Sequence, residues 1–221
     1  MEIYEHIIWD WNGTLLNDVD LCVAIVNEML TAHHEELLEE ITNEHYRSIF
    51  DFPVIQYYER VGFDFTKESF DDLCVKFIGS YHSKALELQL HHEVRDVLSY
   101  IAALGFQQSI LSAAKQEGLR QMVRQHQIDH FFQHIMGEDD HYAHGKVQNA
   151  RRLRDTLKGV ADHKLLLIGD TTHDFEVAQA IEADCILIAH GHHSHQKLQK
   201  TGAKVVNSLG ELMSHLRFPT K

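Results

Sequence analysis

The chain has 221 residues, 44% of them hydrophobic, with 20 basic against 33 acidic side chains and a formal net charge of −13. That length suits one domain with a sizeable core, or one domain carrying a smaller inserted one. The acidic balance argues against nucleic-acid or anionic-membrane partners, and it requires any anionic substrate to be held by a local positive site.

The elements follow in chain order. "YEHIIWD", residues 4–10, reads as a short buried strand ending on Asp10. From Asp18 the period changes: Cys22, Ile25, Val26, Met29 and Leu30 fall on one helical face. Residues 35–90 continue as helices, with Pro53 marking a break between two of them. Val94, Val97, Leu98, Ile101 and Leu104 mark a helix that stops at Gly105. "FQQSILSAA" is a strand running into Ser112, "EGLRQMVRQH" a helix and "FFQHIMG" a strand. "KVQNARRLRDTL" is a helix opened by Lys146, and "KLLLIGD" a strand ending on Asp170. "DFEVAQAIEA", "CILIAHG", "HSHQKLQKTG", "KVVN" and "SLGELMSHL" complete the alternation. Strands alternating with helices predict an α/β fold with a Rossmann-like parallel sheet covered on both faces. The helical block at 17–87 interrupts that order after the first strand and reads as an inserted α-helical cap, with 1–16 and 88–221 forming the core.

In open α/β sheets the site lies at the carboxyl ends of the strands. Asp10, Ser112, Asp170 with Asp174 four residues on, and Lys146 all belong at that edge. Carboxylates that converge repel each other unless a cation lies between them, and a set of oxygen ligands suits Mg²⁺. The metal, Lys146, Ser112 and the amides of Gly13 and Thr14 make a positive pocket for a phosphoryl group, whose transfer needs positioning and charge neutralisation. A carboxylate nucleophile there makes an aspartyl-phosphate.

"DWNGTL", "ILSAA", "GK" and "GDTTHD" occur in the order and spacing of the four motifs of the haloacid dehalogenase-like hydrolase superfamily. The layout resembles its phosphoglycolate-phosphatase-like branch, with a helical cap after the first motif. The resemblance implies a phosphoric monoester hydrolase acting on a small phosphorylated metabolite. It makes Asp10 the nucleophile, and it has Asp10, Asp170 and the backbone carbonyl of Asn12 hold Mg²⁺. It has Asp174 support the metal, while Lys146, Ser112 and the adjacent Ala113 bind phosphate with the Gly13-Thr14 turn. Val147 departs from the proline that often follows the family lysine. Asn12 departs more seriously, because phosphatases of this type carry an acid/base aspartate there. A carboxamide does neither job at neutral pH, which implies a slow phosphatase, a phosphotransferase or a retired ligand-binding member. The sequence alone predicts a faster enzyme on Asn12→Asp.

Nineteen histidines make the charge pH-sensitive. "HGHHSH", His190 to His195, lacks the cysteine partners of a structural zinc site and reads as a loop with Ser194 capping the next helix. His173 is a substitute proton donor to be checked, and Tyr46, Arg47 and Arg60 are candidate anion contacts from the cap. The pairs His33-His34, His91-His92 and His141/His144 read as surface or hinge residues. Cys22, Cys74 and Cys185, odd in number and far apart, are expected to be reduced and buried, as in a cytoplasmic protein. No leader and no membrane span is expected, and the oligomeric state is not legible.

Overall fold

The computed structural model describes residues 4–34, 39–138, 145–157, 159–161 and 164–216; His141 and His144 lie outside them. The first strand, β1 (His6–Trp9), is buried along its whole length. Four helices follow: α1 (Val19–His33), α2 (Asn43–Ile49), α3 (Val54–Val61) and α4 (Phe70–Ala85). Local chemistry sets their ends. Thr42 and Ser69 accept hydrogen bonds from the third backbone amide of α2 and α4, while Pro53 precedes α3 and Gly62 closes it at φ +103°.

The alternating part then runs α5 (Val94–Ala103), β2 (Gln107–Lys115), α6 (Gln116–Gln125), β3 (His134–Glu138), α7 (Lys146–Thr156), β4 (Leu165–Gly169) and α8 (Thr172–Ala180). It ends with β5 (Asp184–Ile188), α9 (His195–Gln199), β6 (Lys204–Val206) and α10 (Leu209–His215). The described strands form one parallel sheet in the order β3-β2-β1-β4-β5-β6. Trp9 lies opposite Ile110 on one side and Ile168 on the other, so the strands leading to Asp10 and Asp170 are central neighbours.

Strand alternation splits the core. Ile7 and Trp9 join a large cluster with α1, α5 and α10, while Ile8 faces Ala150, Leu153, Leu167 and Val177 on the other side. Burial on both faces is why these strands read as continuous apolar runs.

Two sequence expectations need correction. β2 does not end at Ser112. It continues to Lys115, with a register shift between Leu111 and Lys115 where it pairs with β3, so Ser112 lies inside the irregular end of the strand. Cys22 is buried, but Cys74 and Cys185 are only half-buried; all three are free thiols.

The chain leaves and re-enters the sheet through paired crossings. Leu16 and Leu90 form an antiparallel bridge, Asn17 N donates to Gln89 O at 3.0 Å, and His91 N donates to Leu15 O at 2.9 Å. These bonds bring the two ends of the helical segment together just beyond the carboxyl end of β1. Among the described residues no helix is long and apolar enough to cross a membrane.

Candidate active site

Asp10 follows β1 and its backbone N donates to Ile168 O at 2.8 Å, which locks it beside the end of β4. Asp170 follows β4, and Asp174 lies in the first turn of α8. Thr171 and Asp174 form a reciprocal capping box: Asp174 Oδ2 accepts from Thr171 N at 2.9 Å and from Thr171 Oγ1 at 2.6 Å. Its other oxygen accepts from Lys146 Nζ at 2.6 Å, and Lys146 also donates to Asp10 Oδ1. One buried ammonium thus bridges the first-strand carboxylate and the α8 cap.

Asp10, Asp170 and Asp174 are buried, and each offers an oxygen within 4.8 Å of the others'. Burial pushes the Asp10 carboxyl well above its usual range, and the charges of Asp174 and Asp170 add to this against the pull of Lys146. Burial likewise raises Asp170 to about 6, against the opposing pull of His192. Asp174 moves the other way: despite burial, Lys146 and Thr171 hold it below the ordinary carboxylate range. Lys146, in turn, is held above the ordinary lysine range by Asp10 and Asp174, although burial opposes this. Three hard oxygen donors with surplus negative charge fit a divalent cation, which relieves the repulsion that raises Asp10 and Asp170.

The turn after Asp10 is held from two sides. Gly13 takes φ +73°, and its amide donates to Asp18 Oδ1 at 2.8 Å. Thr14 Oγ1 donates to Asp170 Oδ1 at 2.8 Å, and the His192 amide donates to Asp170 Oδ2 at 2.6 Å. A Cβ on Gly13 would overlap the Asp170 carboxylate and the His192 ring. Gly13→Ala is therefore expected to cost about 1–3 kcal/mol and to weaken divalent-cation binding at least tenfold. Urea unfolding and calorimetric titration check it; unchanged affinity and stability would contradict this packing.

Asn12 donates through Nδ2 to Asp18 Oδ2 and to Tyr81 Oη, both at 2.7 Å. Ser112 Oγ stands 3.5 Å from Asn12 Oδ1 and accepts from the Ala114 amide at 3.0 Å. Ala113 is half-buried in the irregular end of β2. All nine residues named from the motifs therefore lie on segments at one edge of the sheet.

Sequence reasoning missed Asp18, Tyr81 and His192. His192 Nε2 pairs with Asp18 Oδ1 at 3.2 Å, and its Nδ1 is hydrogen-bonded to Tyr46 Oη at 2.9 Å. Burial alone would lower this imidazole, but Asp18 raises it to about 9. Asp18 was legible only as the start of α1, yet it makes no side-chain cap on that helix. Its carboxylate turns to the site instead.

The cap residues proposed as anion contacts are otherwise engaged. Tyr46 meets His192, Arg47 donates to the carbonyls of Gly191 and His190, and Arg60 donates to Ile49 O. Arg47 satisfies backbone groups at a part-buried interface, while Arg60 is exposed. His173 pairs with Glu176 at 3.0 Å and packs on Phe52. In the 190–195 loop the histidines take separate partners. His190 stacks on His91 and bonds Thr14 O, His193 accepts from the Thr172 amide, and Ser194 caps α9. His192 also belongs to a second group of ligand-type side chains, with Asp18 and Cys22.

Burial lowers His6 and His91 to about 4, and His190 and His193 to about 3. Below about pH 6.5 the unfolded chain binds protons there that the folded chain refuses, so stability falls as pH falls. Each imidazole contributes up to about 1.4 kcal/mol per pH unit; the crowded carboxylates Asp10 and Asp170 offset part of it. The urea midpoint should drop steadily from about pH 6.5 to about pH 5, and a flat profile would contradict the buried neutral histidines.

Residues 7–188 match the haloacid dehalogenase-like hydrolase family. A curated phosphoglycolate phosphatase from Aliivibrio fischeri is 24% identical over 130 residues, which are 58% of this chain and 56% of that protein. The aligned stretch thus spans little more than half the length of that relative. Among solved structures, a haloacid dehalogenase-like hydrolase from Streptococcus pneumoniae has a TM-score of 0.79 at 18% identity, covering 98% of this chain and 100% of that one. Protein tyrosine kinase A from Mycobacterium tuberculosis has a TM-score of 0.79 at 19% identity, covering 98% and 99%. These two likenesses concern the fold. With the family match covering both central strands and their terminal carboxylates, the chain belongs to the haloacid dehalogenase-like hydrolases.

Proposed function

We propose that the protein is a Mg²⁺-dependent phosphatase that acts on a small phosphorylated metabolite through a phospho-aspartate at Asp10, slowly because Asn12 replaces an acid/base aspartate. The observation that carries the reading is the buried set of Asp10, Asp170 and Asp174 bridged by Lys146. Asp10, Asp170 and the backbone carbonyl of Asn12 would hold the cation, with Asp174 in support. When bound, it supplies charge neutralisation for the phosphoryl oxygens.

Lys146 engages one oxygen of Asp10, which leaves the other to attack phosphorus. The bond from phosphorus to the leaving oxygen breaks, and that oxygen takes its proton from solvent. Water then attacks the phosphorus of the acyl phosphate, releasing inorganic phosphate, the Asp10 carboxylate and a proton. Ser112, Ala113 and the Thr14 amide are the proposed phosphoryl contacts, whereas the Gly13 amide, expected to join them, is taken by Asp18 Oδ1. General acid-base help is worth about 10²–10⁴-fold; without it, acyl and aryl phosphates are the favoured substrates. Residues 17–87 would act as the cap that encloses the substrate and excludes water. Free thiols support a reducing, cytoplasmic setting.

A second reading is a phosphotransferase in which the acceptor supplies the missing proton relay. Asn12 favours it, and the tyrosine kinase neighbour shows that this fold is not confined to proteins named as hydrolases. The test is phosphate release from p-nitrophenyl phosphate and acetyl phosphate, with Mg²⁺ and with a chelator. Mg²⁺-dependent release is expected. Release that persists in chelator would overturn the reading, and release only on addition of an alcohol or tyrosyl acceptor would favour the second.

A further inference from the structure

Two observations around Asn12 are not used by that chemistry. The first is the Asp18 carboxylate, which sits at the N-cap of α1 but caps none of that helix's backbone amides; its one bond to α1 is from Cys22 Sγ at 3.8 Å. It is buried and surrounded by donors: Gly13 N at 2.8 Å, Asn12 Nδ2 at 2.7 Å, Tyr81 Oη at 2.8 Å and His192 Nε2 at 3.2 Å. The second is the orientation of the Asn12 carboxamide. An ionised carboxylate only accepts hydrogen bonds, so the group facing Asp18 must be the amide nitrogen. Tyr81 Oη donates to Asp18, so its lone pairs receive the other amide proton of Asn12. Both amide protons are then used. What Asn12 has left is its carbonyl oxygen, on a half-buried side chain, with one lone pair accepting a long bond from Ser112 Oγ at 3.5 Å and the other open.

We propose that Asp18 and Tyr81 are positioning residues that present Asn12 to the reaction with its carbonyl oxygen forward, so that the incoming water or acceptor hydroxyl is oriented by an acceptor that takes no proton. The inference rests on the phosphoryl-transfer reading above. Tyr81 belongs to α4, so a residue of the helical insertion completes the orientation. His192 supports the same carboxylate from the 190–194 loop. With these donors it holds Asp18 below the usual carboxylate range despite burial.

The arrangement reverses the simple expectation for Asn12→Asp. In the native surroundings that exchange sets a carboxylate oxygen 2.7 Å from Asp18 Oδ2. Two carboxylates at that distance, one of them buried, cannot both ionise. One takes a proton and bonds to the other, so the introduced carboxyl is tied into a shared-proton pair instead of standing as a free base. Exchanging both residues, Asn12→Asp with Asp18→Asn, inverts donor and acceptor and keeps the contact.

The test has two arms. In ¹⁵N-labelled protein, the Asn12 side-chain amide is expected to exchange with water at least tenfold more slowly than in Asp18→Asn or Tyr81→Phe. In turnover of acetyl phosphate with Mg²⁺, Asn12→Asp alone is expected to gain nothing. The double exchange is expected to exceed it at least tenfold, and Tyr81→Phe to lower kcat while leaving KM within twofold. Unprotected amide protons, or Asn12→Asp outpacing both wild type and the double exchange, would overturn the proposal. Protected amide protons without turnover in any variant would uphold the positioning and overturn the phosphatase reading instead.

Discussion

Asp10→Asn should abolish Mg²⁺-dependent phosphate release, by at least about 10⁴-fold, because it removes the nucleophile rather than a residue that assists it. The same substitution should leave the metal-free protein at least as stable as wild type. Burial, with the charges of Asp174 and Asp170, raises the Asp10 carboxyl despite Lys146. A carboxyl raised in the fold destabilises as pH rises above its unfolded value, and the penalty is complete once pH exceeds the folded value. An amide removes that penalty and leaves Lys146 its bond to Asp174. Mg²⁺ should therefore raise the melting temperature of wild type clearly and that of the variant little. Turnover of Asp10→Asn within tenfold of wild type would contradict the assignment of the nucleophile.

Lys146→Met is expected to have the largest effect on stability. Lys146 is buried between Asp10 and Asp174, with side-chain exposures of 5% for the lysine and 7% and 0% for the carboxylates. Removing one partner of a buried charge network strands the others, at a cost of about 3–5 kcal/mol. The sign is clear at neutral pH: Lys146 holds Asp174 below the ordinary carboxylate range against burial, so without it the carboxylate either stays buried without its cation or takes up a proton, and both cost stability. Activity should fall about 10²–10³-fold, as for other lost charge-stabilising donors. Mg²⁺ should recover part of the stability by replacing the missing positive charge. Urea unfolding at pH 7, with and without Mg²⁺, measures both effects, and a loss below about 1 kcal/mol would contradict a buried bridging role.

The parallel sheet was legible because its strands are buried on both faces, so "HIIW" and "LLLIG" stand out as apolar runs between helical periods. The positions of Asp10 and Asp170 followed from those strand ends and that of Asp174 from its place four residues on; the helix there begins at Thr172, two residues earlier than "DFEVAQAIEA" implied. Ser112 was set at a strand terminus because nothing in "ILSAAK" marks the register shift that lets β2 run on to Lys115. The interior of the site was less legible. Asp18, Tyr81 and His192 are separated by 63 positions or more in sequence and meet only when the helical insertion folds back over the sheet. One local signal existed: an aspartate opening α1 close behind the Asn-Gly turn. Its ordinary role as a helix cap concealed that its side chain serves the turn instead. Tyr46 and Arg47, expected as anion contacts, meet the 190–194 loop instead, Tyr46 through His192 and Arg47 through the carbonyls of Gly191 and His190.

The central claim is that phosphoryl groups pass through Asp10. The most direct test mixes the protein with acetyl phosphate and Mg²⁺, quenches in acid, and locates any added phosphoryl by peptide mass spectrometry. With a proton-inert Asn12 slowing water attack, the adduct should accumulate on Asp10 and be absent from Asp10→Asn and from samples with chelator. Turnover of acetyl phosphate with no phosphoryl group on Asp10, or with the group on another residue, would contradict the account.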